Sequence, residues 1–282
     1  MSEEKKASEP LKDNANRKIY TDLYVSDNIA DEGEKFNFAV FIRLNAKGKI
    51  FRNVSFQHCV FDSCYINNCV FDTCNFTGCK FIGSNFHQSS FPGCNFRFAT
   101  FERSHFDDDI LEKEPPKEEN LKMHFARSLR MNFQQIGNAK AVNKAITVEL
   151  EATSIYLKKS WSSQEKYYRD KYYGNLNWLV QFFKWLWFSV LHIIWGNGES
   201  ILKFLRTILF LLIAIVVYDT YYNDTSATLS SIWSSIVSSP AVFLGVLSPN
   251  YLPIGFLSFI AGMKLITFAL LTALLVKRFS RR

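Results

Sequence analysis

The sequence lacks the motifs on which most enzyme classes depend. It contains no glycine-rich phosphate loop, no nucleophile motif and no HExxH metalloprotease motif. Its histidines are scattered, and we expect each to be a surface or interface residue: His58, His87, His105, His124 and His192. Because such motifs gather a base, a nucleophile or a metal in one place, we expect no enzymatic activity, no catalytic residue, no metal and no cofactor.

Positive charge is absent between Arg206 and Lys264, although the whole chain carries a net charge of +7. Much of the excess lies beside apolar segments, where anionic lipids attract it, so we expect no nucleic-acid partner. A secretory signal is also missing, since residues 1–10 are polar and charged. We therefore expect the N-terminal part to fold in a reducing cytosol.

A five-residue period runs through the N-terminal third without a gap. The apolar positions are Phe51, Phe56, Phe61, Ile66, Phe71, Phe76, Phe81, Phe86, Phe91, Phe96, Phe101 and Phe106. Two positions before each of them, from residue 59 on, stands a small residue: Cys59, Cys64, Cys69, Cys74, Cys79, Ser84, Ser89, Cys94, Ala99 and Ser104. Neither a helix nor an ordinary strand has this period. It predicts a coil whose units stack on one another.

This pattern resembles the pentapeptide-repeat family, whose chains form a right-handed, four-sided β-helix with about four repeats in each coil. The resemblance implies a β-helix over residues 36–106, with roughly three coils from Phe51 to Phe106. Phe36 and residues 38–41 are expected to add a partial coil or a cap, and residues 1–35 to be a polar N-terminal segment. A solenoid is a scaffold, so the repeat alone indicates no activity.

All six cysteines fall among the small residues of the repeat. We expect structural thiols that fill the interior of the coil, since buried cysteine packs as a small hydrophobe. Two alternatives stay open. Cys59 with Cys79, or Cys74 with Cys94, lie one coil apart and within reach of a disulfide. A metal site is the other alternative, although the chain has no CxxC pair.

Two apolar stretches near the C-terminus, residues 201–222 and 254–276, are each about as long as a bilayer crossing requires. Their outer ends are flanked by basic residues, which are Lys203, Arg206, Lys277, Arg278, Arg281 and Arg282. The positive-inside rule then predicts a multi-pass protein of the cell (inner) membrane, with two crossings and both termini in the cytoplasm.

The connection between the two crossings is uncharged over residues 229–249. Residues 229–239 have near-helical spacing of apolar side chains, and a segment bounded by Pro240 and Pro249 follows. This arrangement predicts a short helix and a re-entrant pore loop. Such a loop is tolerated at membrane depth only when it is buried in protein or lines water.

The C-terminal region is similar to bacterial pentapeptide-repeat proteins that carry a potassium-channel-type pore. The similar segments are residues 129–138, 156–161, 195–198 and 270–280. The resemblance implies an outer helix, a pore helix, a filter and an inner helix within a transmembrane domain of residues 199–282. It also implies a homo-oligomer, with a tetramer favoured, that acts in ion transport.

The family's filter reads Thr-x-x-Thr-(Val/Leu)-Gly-Tyr-Gly-Asp, and this chain departs from it. The filter-like residues are Val242, Phe243, Leu244, Gly245, Val246, Leu247 and Ser248. Gly245 takes the place of the first glycine, Leu247 that of the second, and Ser248 that of the aspartate. Potassium filters need successive carbonyls directed at the axis, and leucine lacks the backbone freedom of glycine. We therefore expect no potassium selectivity.

Lys264 lies near the middle of the second crossing, where a charged side chain is costly unless it faces water or a partner. Three interpretations stay open. The side chain snorkels to the surface, or it contributes to a pore-lining ring of lysines that repels cations, or it forms an ion pair with Asp219 or Asp224.

Between the coil and the membrane, residues 107–120 are acidic, contain two prolines and read as a linker. Residues 121–174 have the apolar stripes of two helices, broken at Gly137 and Asn138, and form a predicted helical connector. Residues 175–198 are rich in tryptophan and apolar, and we expect an amphipathic helix that lies in the membrane interface. The predicted fold class is therefore mixed: a β-helix, a helical connector and a two-crossing α-helical membrane domain.

Three functions are compatible with this organisation. The favoured one is an ion-channel-like pore with a cytoplasmic sensing or assembly domain. The others are a non-conducting, membrane-anchored interaction scaffold and a membrane-disrupting effector of stress or phage defence. The expected partners are the lipid bilayer, further copies of the chain and an unknown cytoplasmic protein on the β-helix.

Overall fold

The computed structural model describes residues 17–33, 35–172, 174, 176–222 and 229–279. These residues form two compact units that divide after Tyr156. Most of the predicted N-terminal segment, residues 1–16, lies outside the described residues. The first unit contains every strand and the first helices, and the second contains the long apolar helices.

A parallel β-solenoid of about four turns forms the first unit. Its strands are β1 (Ile19–Thr21), β2 (Ile29–Gly33), β3 (Val40–Ile42), β4 (Asn45–Lys47), β5 (Ile50–Val54), β6 (Val60–Asp62), β7 (Tyr65–Asn67), β8 (Val70–Asp72), β9 (Lys80–Ile82) and β10 (Thr100–Glu102). From β3 onward each strand pairs with the segment 20 residues later, so Val40, Val60, Lys80 and Thr100 lie side by side. Similar pairings run along three further faces, and four repeats therefore complete one coil.

The solenoid begins earlier than the repeat predicts. β1 pairs with β3 and β2 pairs with β5, so residues 19–33 add a coil ahead of residue 36. The sequence conceals this coil because its interior residues Tyr20, Val25, Ile29 and Phe36 are not evenly spaced. The β2–β5 register also shifts between Ala30 and Gly33.

Every fifth residue turns the chain through a corner. Two positions after each interior residue the backbone has a φ of 47° to 70°, at Phe38, Arg43, Gly48, Asn53, His58, Ser63, Asn68, Thr73, Gly78, Gly83, Gln88, Gly93, Phe98 and Arg103. This left-handed conformation is costly for residues other than glycine, by about 1–2 kcal/mol each. The coil maintains it because both flanking segments are fixed by the hydrogen bonds of the neighbouring coils.

The interior consists of aromatic rings stacked along the axis. Rings 20 residues apart are stacked, and their centroids lie 4.6 Å apart for Phe51 and Phe71 and 5.1 Å apart for Phe76 and Phe96. This spacing matches the distance between neighbouring strands, so each ring continues the packing of the ring before it. The predicted interior positions from Phe51 to Phe106 are all buried.

The small residues contribute hydrogen bonds as well as volume. The Cys79 Sγ donates to the carbonyl of Phe56 at 2.8 Å, and the Ser89 Oγ donates to the carbonyl of Ile66 at 2.9 Å. Each acceptor lies 23 residues before its donor, on the preceding coil. Cysteine and serine are the small side chains that supply this donor, which explains their abundance in the repeat.

The six cysteines are free thiols, so neither predicted disulfide pair is formed. Five of them are buried and Cys94 is half-buried, as the interpretation of structural thiols predicts. Burial raises the pKa of the Cys64 thiol to about 11 and also raises the pKa of Cys69. These two thiols therefore stay protonated and unreactive near neutral pH.

Four helices follow the solenoid: α1 (Ile110–Lys113), α2 (Glu119–Gln135), α3 (Ala139–Ser162) and α4 (Lys166–Lys171). α1 lies inside the segment that the sequence indicates as a linker, and its Ile110 and Leu111 are buried in the solenoid core. α2 and α3 match the two predicted connector helices, with Gly137 in a left-handed conformation between them. The short α4 is not indicated by the sequence.

α2 closes the C-terminal end of the solenoid. A further coil would supply acceptors to the last backbone N–H groups, and side chains of α2 take over that role. The N–H of Phe101 donates to Ser128 Oγ at 2.9 Å, and that of Arg103 donates to Gln135 Oε1 at 3.0 Å. The Asn132 amide bonds both the N–H and the carbonyl of Ser104, each at 2.7 Å. The helix therefore covers an edge that would otherwise bind another strand.

The second unit contains α5 (Asn177–Trp195), α6 (Ile201–Tyr222), α7 (Leu229–Leu244) and α8 (Ile254–Phe279). Three of them, α5, α6 and α8, are long and apolar enough to cross a membrane. α5 corresponds to the predicted interfacial helix, and its length and composition also allow a crossing. Membrane association is therefore supported, whereas the two-crossing topology stays a prediction.

We expect Asn132→Ala to destabilise the solenoid by about 2–4 kcal/mol, because it leaves a buried N–H and a buried carbonyl of Ser104 without partners. Gln134→Ala is the matched control, since Gln134 is an exposed residue of the same helix. The measurement is denaturant unfolding of the purified protein in detergent. Equal stability of the two variants would show that α2 does not terminate the ladder.

Candidate functional site

The predicted pore residues lie where α6, α7 and α8 meet. Ile215 of α6, Val242 and Phe243 of α7 and Ile260 of α8 form one buried apolar cluster together with Leu252. Lys277 near the end of α8 forms an ion pair with Glu199, just before α6. The start of α6 and the end of α8 therefore lie at the same end of the cluster, so these two helices run antiparallel.

α7 extends five residues beyond the predicted helix end at Ser239 and includes Pro240. Proline cannot donate the usual bond to the carbonyl four residues earlier, here that of Ile236. The Ser239 hydroxyl donates to this carbonyl instead, at 2.9 Å. The helix therefore passes through the proline, and Val242, Phe243 and Leu244 are helical instead of extended.

Gly245 ends α7 as a helix-terminating glycine. Its φ is +74°, its N–H bonds the carbonyl of Val242 at 3.0 Å, and the N–H of Val246 bonds the carbonyl of Ala241 at 2.9 Å. These two bonds are the Schellman arrangement, in which glycine is preferred because it has no Cβ. The conformation of Gly245 thus has a local cause that is independent of ion binding.

The seven filter-like residues fall into two groups. Val242 and Phe243 are buried in the cluster, and Leu244, Gly245, Val246, Leu247 and Ser248 are exposed. Val246 is 82% exposed, so its apolar side chain has no packing partner within this chain. The exposed group is available to lipid, to water or to another copy of the protein.

The Lys264 side chain lies at the C-terminal end of α7. Its Nζ donates to the carbonyl of Leu244 at 3.2 Å, and a Cβ built on Gly245 would lie 3.2 Å from the same Nζ. The last carbonyls of a helix lack intrahelical partners and carry a partial negative charge that a cation stabilises. The contact therefore joins α7 to the middle of α8 through a charged hydrogen bond.

Asp219 is a buried carboxylate near the end of α6, with 4% of its surface exposed. It accepts hydrogen bonds from Ser235 Oγ of α7 and from the hydroxyl of Tyr251, both at 2.6 Å. Burial, together with the bond to Asp219, raises the pKa of Tyr251 to about 12, so this hydroxyl remains a donor at neutral pH. The carboxylate thereby holds α6, α7 and the turn before α8 together.

Of the three interpretations of Lys264, the pair with Asp219 is not the contact that forms, since Asp219 is bonded to hydroxyl groups and Lys264 to Leu244. Asp224 lies outside the described residues. The sequence analysis did not foresee the roles of Ser235 and Tyr251. One signal was present, because Asp219 is the only acidic residue in α6.

The turn between α5 and α6 is stabilised by side chains of α6. Thr207 Oγ1 and Arg206 donate to the carbonyls of Ile194 and Ile193 at the end of α5, Thr207 at 2.7 Å. Lys203 Nζ donates to His192 Nε2 at 2.7 Å. Two of the predicted flanking cations thus stabilise the C-terminal end of a helix, which favours positive charge.

Residues 69–108 match the family model of pentapeptide repeats, in eight copies. No curated protein matches the chain. The match and the β-solenoid confirm the resemblance of the N-terminal region to pentapeptide repeats. The likeness of the C-terminal region to a potassium-channel pore stays a prediction.

We expect Gly245→Ala to destabilise the α7–α8 contact by about 1–2 kcal/mol, because alanine is strained at a positive φ and its methyl group would crowd Lys264. Gly262→Ala is the matched control, since Gly262 lies in α8 with no atom within 4 Å of a built Cβ. The measurement is the thermal unfolding midpoint in detergent. A loss for Gly262→Ala as large as that for Gly245→Ala would contradict the terminating role.

Proposed function

We propose that this protein is an ion-channel-like membrane protein that assembles from several copies, with four favoured, and that is not a potassium filter. The solenoid would serve as its cytoplasmic sensing or assembly domain. The observation that carries the proposal is the contact of Lys264 with the C-terminal end of α7, between two long apolar helices. A short helix that ends at a fixed charge is a known way of setting ion preference in membranes.

Lys264 favours anions over cations in this arrangement. The C-terminal end of α7 alone would attract a cation, because helix ends carry roughly half an elementary charge. The ammonium group of Lys264 occupies that position and leaves a net positive charge. In an oligomer several such groups would form a ring, and a cation in a low-dielectric pore would meet a barrier of a few kcal/mol.

The backbone near Gly245 favours the same conclusion on potassium. A potassium filter needs a row of carbonyls along the axis. Residues 242–244 are helical, so their carbonyls point along the helix, and Gly245 takes part in a helix end. Potassium selectivity is therefore not part of the proposal.

The proposed location is the cell (inner) membrane of a bacterium, with α6 and α8 as crossings and both termini in the cytoplasm. The antiparallel arrangement of α6 and α8, with Lys203, Arg206, Lys277 and Arg278 toward one end, supports this topology. α5 would then lie in the interface, since its tryptophans are typical of that region. The lipid bilayer and a cytoplasmic protein on the solenoid are the proposed partners, and neither nucleic acid nor catalysis forms part of the proposal.

A non-conducting, membrane-anchored scaffold is the second candidate. It is favoured by Val242 and Phe243, which are buried within one chain as ordinary packing residues. The third candidate, a membrane-disrupting effector, rests on the departure from the potassium filter and on Lys264 alone. Subunit number separates the first candidate from the second, because a pore between chains requires an oligomer.

The topology predicts that an impermeant thiol reagent added outside the cell labels Asn223→Cys but neither Ser280→Cys nor Ser8→Cys. All three positions lie outside the described residues. The background has the native cysteines replaced, and cell lysis before labelling is the control for reactivity. External labelling of Ser8→Cys would mean that α5 crosses the membrane and that the two-crossing topology is wrong.

Single-channel recording in bilayers with ion substitution tests the function. We expect the reversal potential of the wild-type protein to follow chloride more than potassium, because Lys264 repels cations. Lys264→Glu should move it toward potassium, and Lys264→Leu should leave little selectivity.

Leu265→Glu is the matched control, since Leu265 is the neighbouring residue of α8 and is exposed on a different face. A wild-type reversal potential that follows potassium and does not change in Lys264→Glu would contradict the proposal. Absence of current in every variant, with a monomer or dimer by mass, would favour the scaffold.

A further inference from the structure

The two ends of the solenoid are finished differently. At the C-terminal end, α2 supplies Ser128, Asn132 and Gln135 to the last coil. At the other end, β1 is the outermost strand of its sheet, and no described element lies beyond it. An uncovered strand edge pairs readily with another strand, and native proteins rarely leave one open without a purpose.

The outer edge of β1 presents backbone groups in a regular pattern. The N–H of Val40 bonds the carbonyl of Lys18 at 2.9 Å, and the N–H of Asp22 bonds the carbonyl of Ile42 at 3.0 Å. The even-numbered residues of this strand therefore face β3. By the alternation of a β-strand, the N–H and carbonyl groups of Ile19 and Thr21 point away from the solenoid.

The same end of the solenoid is apolar. A cavity of about 260 Å³ opens there between Tyr20, Val25, Ile29, Phe36 and Phe41. Ile19 and Tyr24 at its border are each 65% exposed. The preceding segment is poorly suited to fill this cavity, because the positions that continue the five-residue period from Tyr20 are Ala15, Pro10 and Lys5.

We propose that the N-terminal end of the solenoid binds the same end of a second copy, with the two β1 strands antiparallel and centred on Tyr20. A strand whose residues 19 and 21 both face outward is complementary to itself in this register. Ile19 then forms a hydrogen-bonded pair with the partner's Thr21, and Thr21 with the partner's Ile19. No other register of this short edge pairs all four outward groups of each strand.

Charge and packing favour a second copy over an unrelated strand. The register places Lys18 opposite the partner's Asp22, and opposite charges across strands are stabilising. Tyr20 already stacks on Phe41 with centroids 5.2 Å apart. In the pair, Tyr20 would meet the partner's Tyr20, so the aromatic column of one solenoid would continue into the other.

Disulfide trapping of the full-length protein in detergent tests the register. Ile19→Cys and Thr21→Cys are purified separately, mixed and mildly oxidised. The mixture should give several-fold more cross-linked dimer than either variant alone, because only residues 19 and 21 are opposed at a Cα distance that a disulfide spans. The native thiols interfere little, since they lie inside the coils.

The matched control is the mixture of Thr100→Cys and Glu102→Cys, which occupy the same face at the end covered by α2. It should give no cross-linked dimer. Equal cross-linking of each single variant and of the mixture, or none in any sample, would overturn the proposal. The outcome is independent of ion conduction, so it does not depend on the proposed pore.

A second variant tests the backbone contact directly. Thr21→Pro removes an N–H that points outward and leaves the hydrogen bonds between β1 and β3 in place. It should lower the fraction of associated protein by mass measurement, whereas Thr21→Ala should not. Unchanged association in Thr21→Pro would show that β1 is not the interface.

Discussion

The hydrogen bonds between successive coils are the constraint on which the first unit depends. Each coil satisfies the N–H and carbonyl groups of its neighbours, and only a coil that returns every 20 residues keeps them in register. The left-handed corners, the stacked phenylalanines and the small donors from Cys59 to Ser104 all follow from this return. Such a ladder has two ends, and each end needs an element that stops it or continues it.

The same requirement governs the second unit, where the surroundings are apolar. Lys264, Asp219 and Ser239 are each placed where a backbone or side-chain group would otherwise lack a partner. Polar groups that bond to one another in such surroundings fix the positions of the helices that carry them. Specificity of the α6–α8 arrangement therefore comes from a few polar contacts, because apolar faces alone would allow many arrangements.

The sequence predicted much of the fold because its signals were periodic. The five-residue spacing from Phe51 to Phe106 and the apolar stripes of α2 and α3 each reflect a repeated geometry. The first coil was missed because its interior residues are unevenly spaced, and α7 was ended too early because a proline usually ends a helix. The partners of Asp219 and Lys264 depend on tertiary contacts, which leave no periodic signal in the sequence.

The coupling of α2 to one particular face of the solenoid has a consequence for how such a protein changes length. Five added residues would advance the chain by a quarter of a coil and would present the next face to the helix. Ser128, Asn132 and Gln135 would then lie over a corner and not over the strand that they terminate. Insertions and deletions in the coils that keep the terminating helix matched are therefore those of whole turns. The solenoid is built from repeats of five residues, but its length is quantised in steps of four repeats.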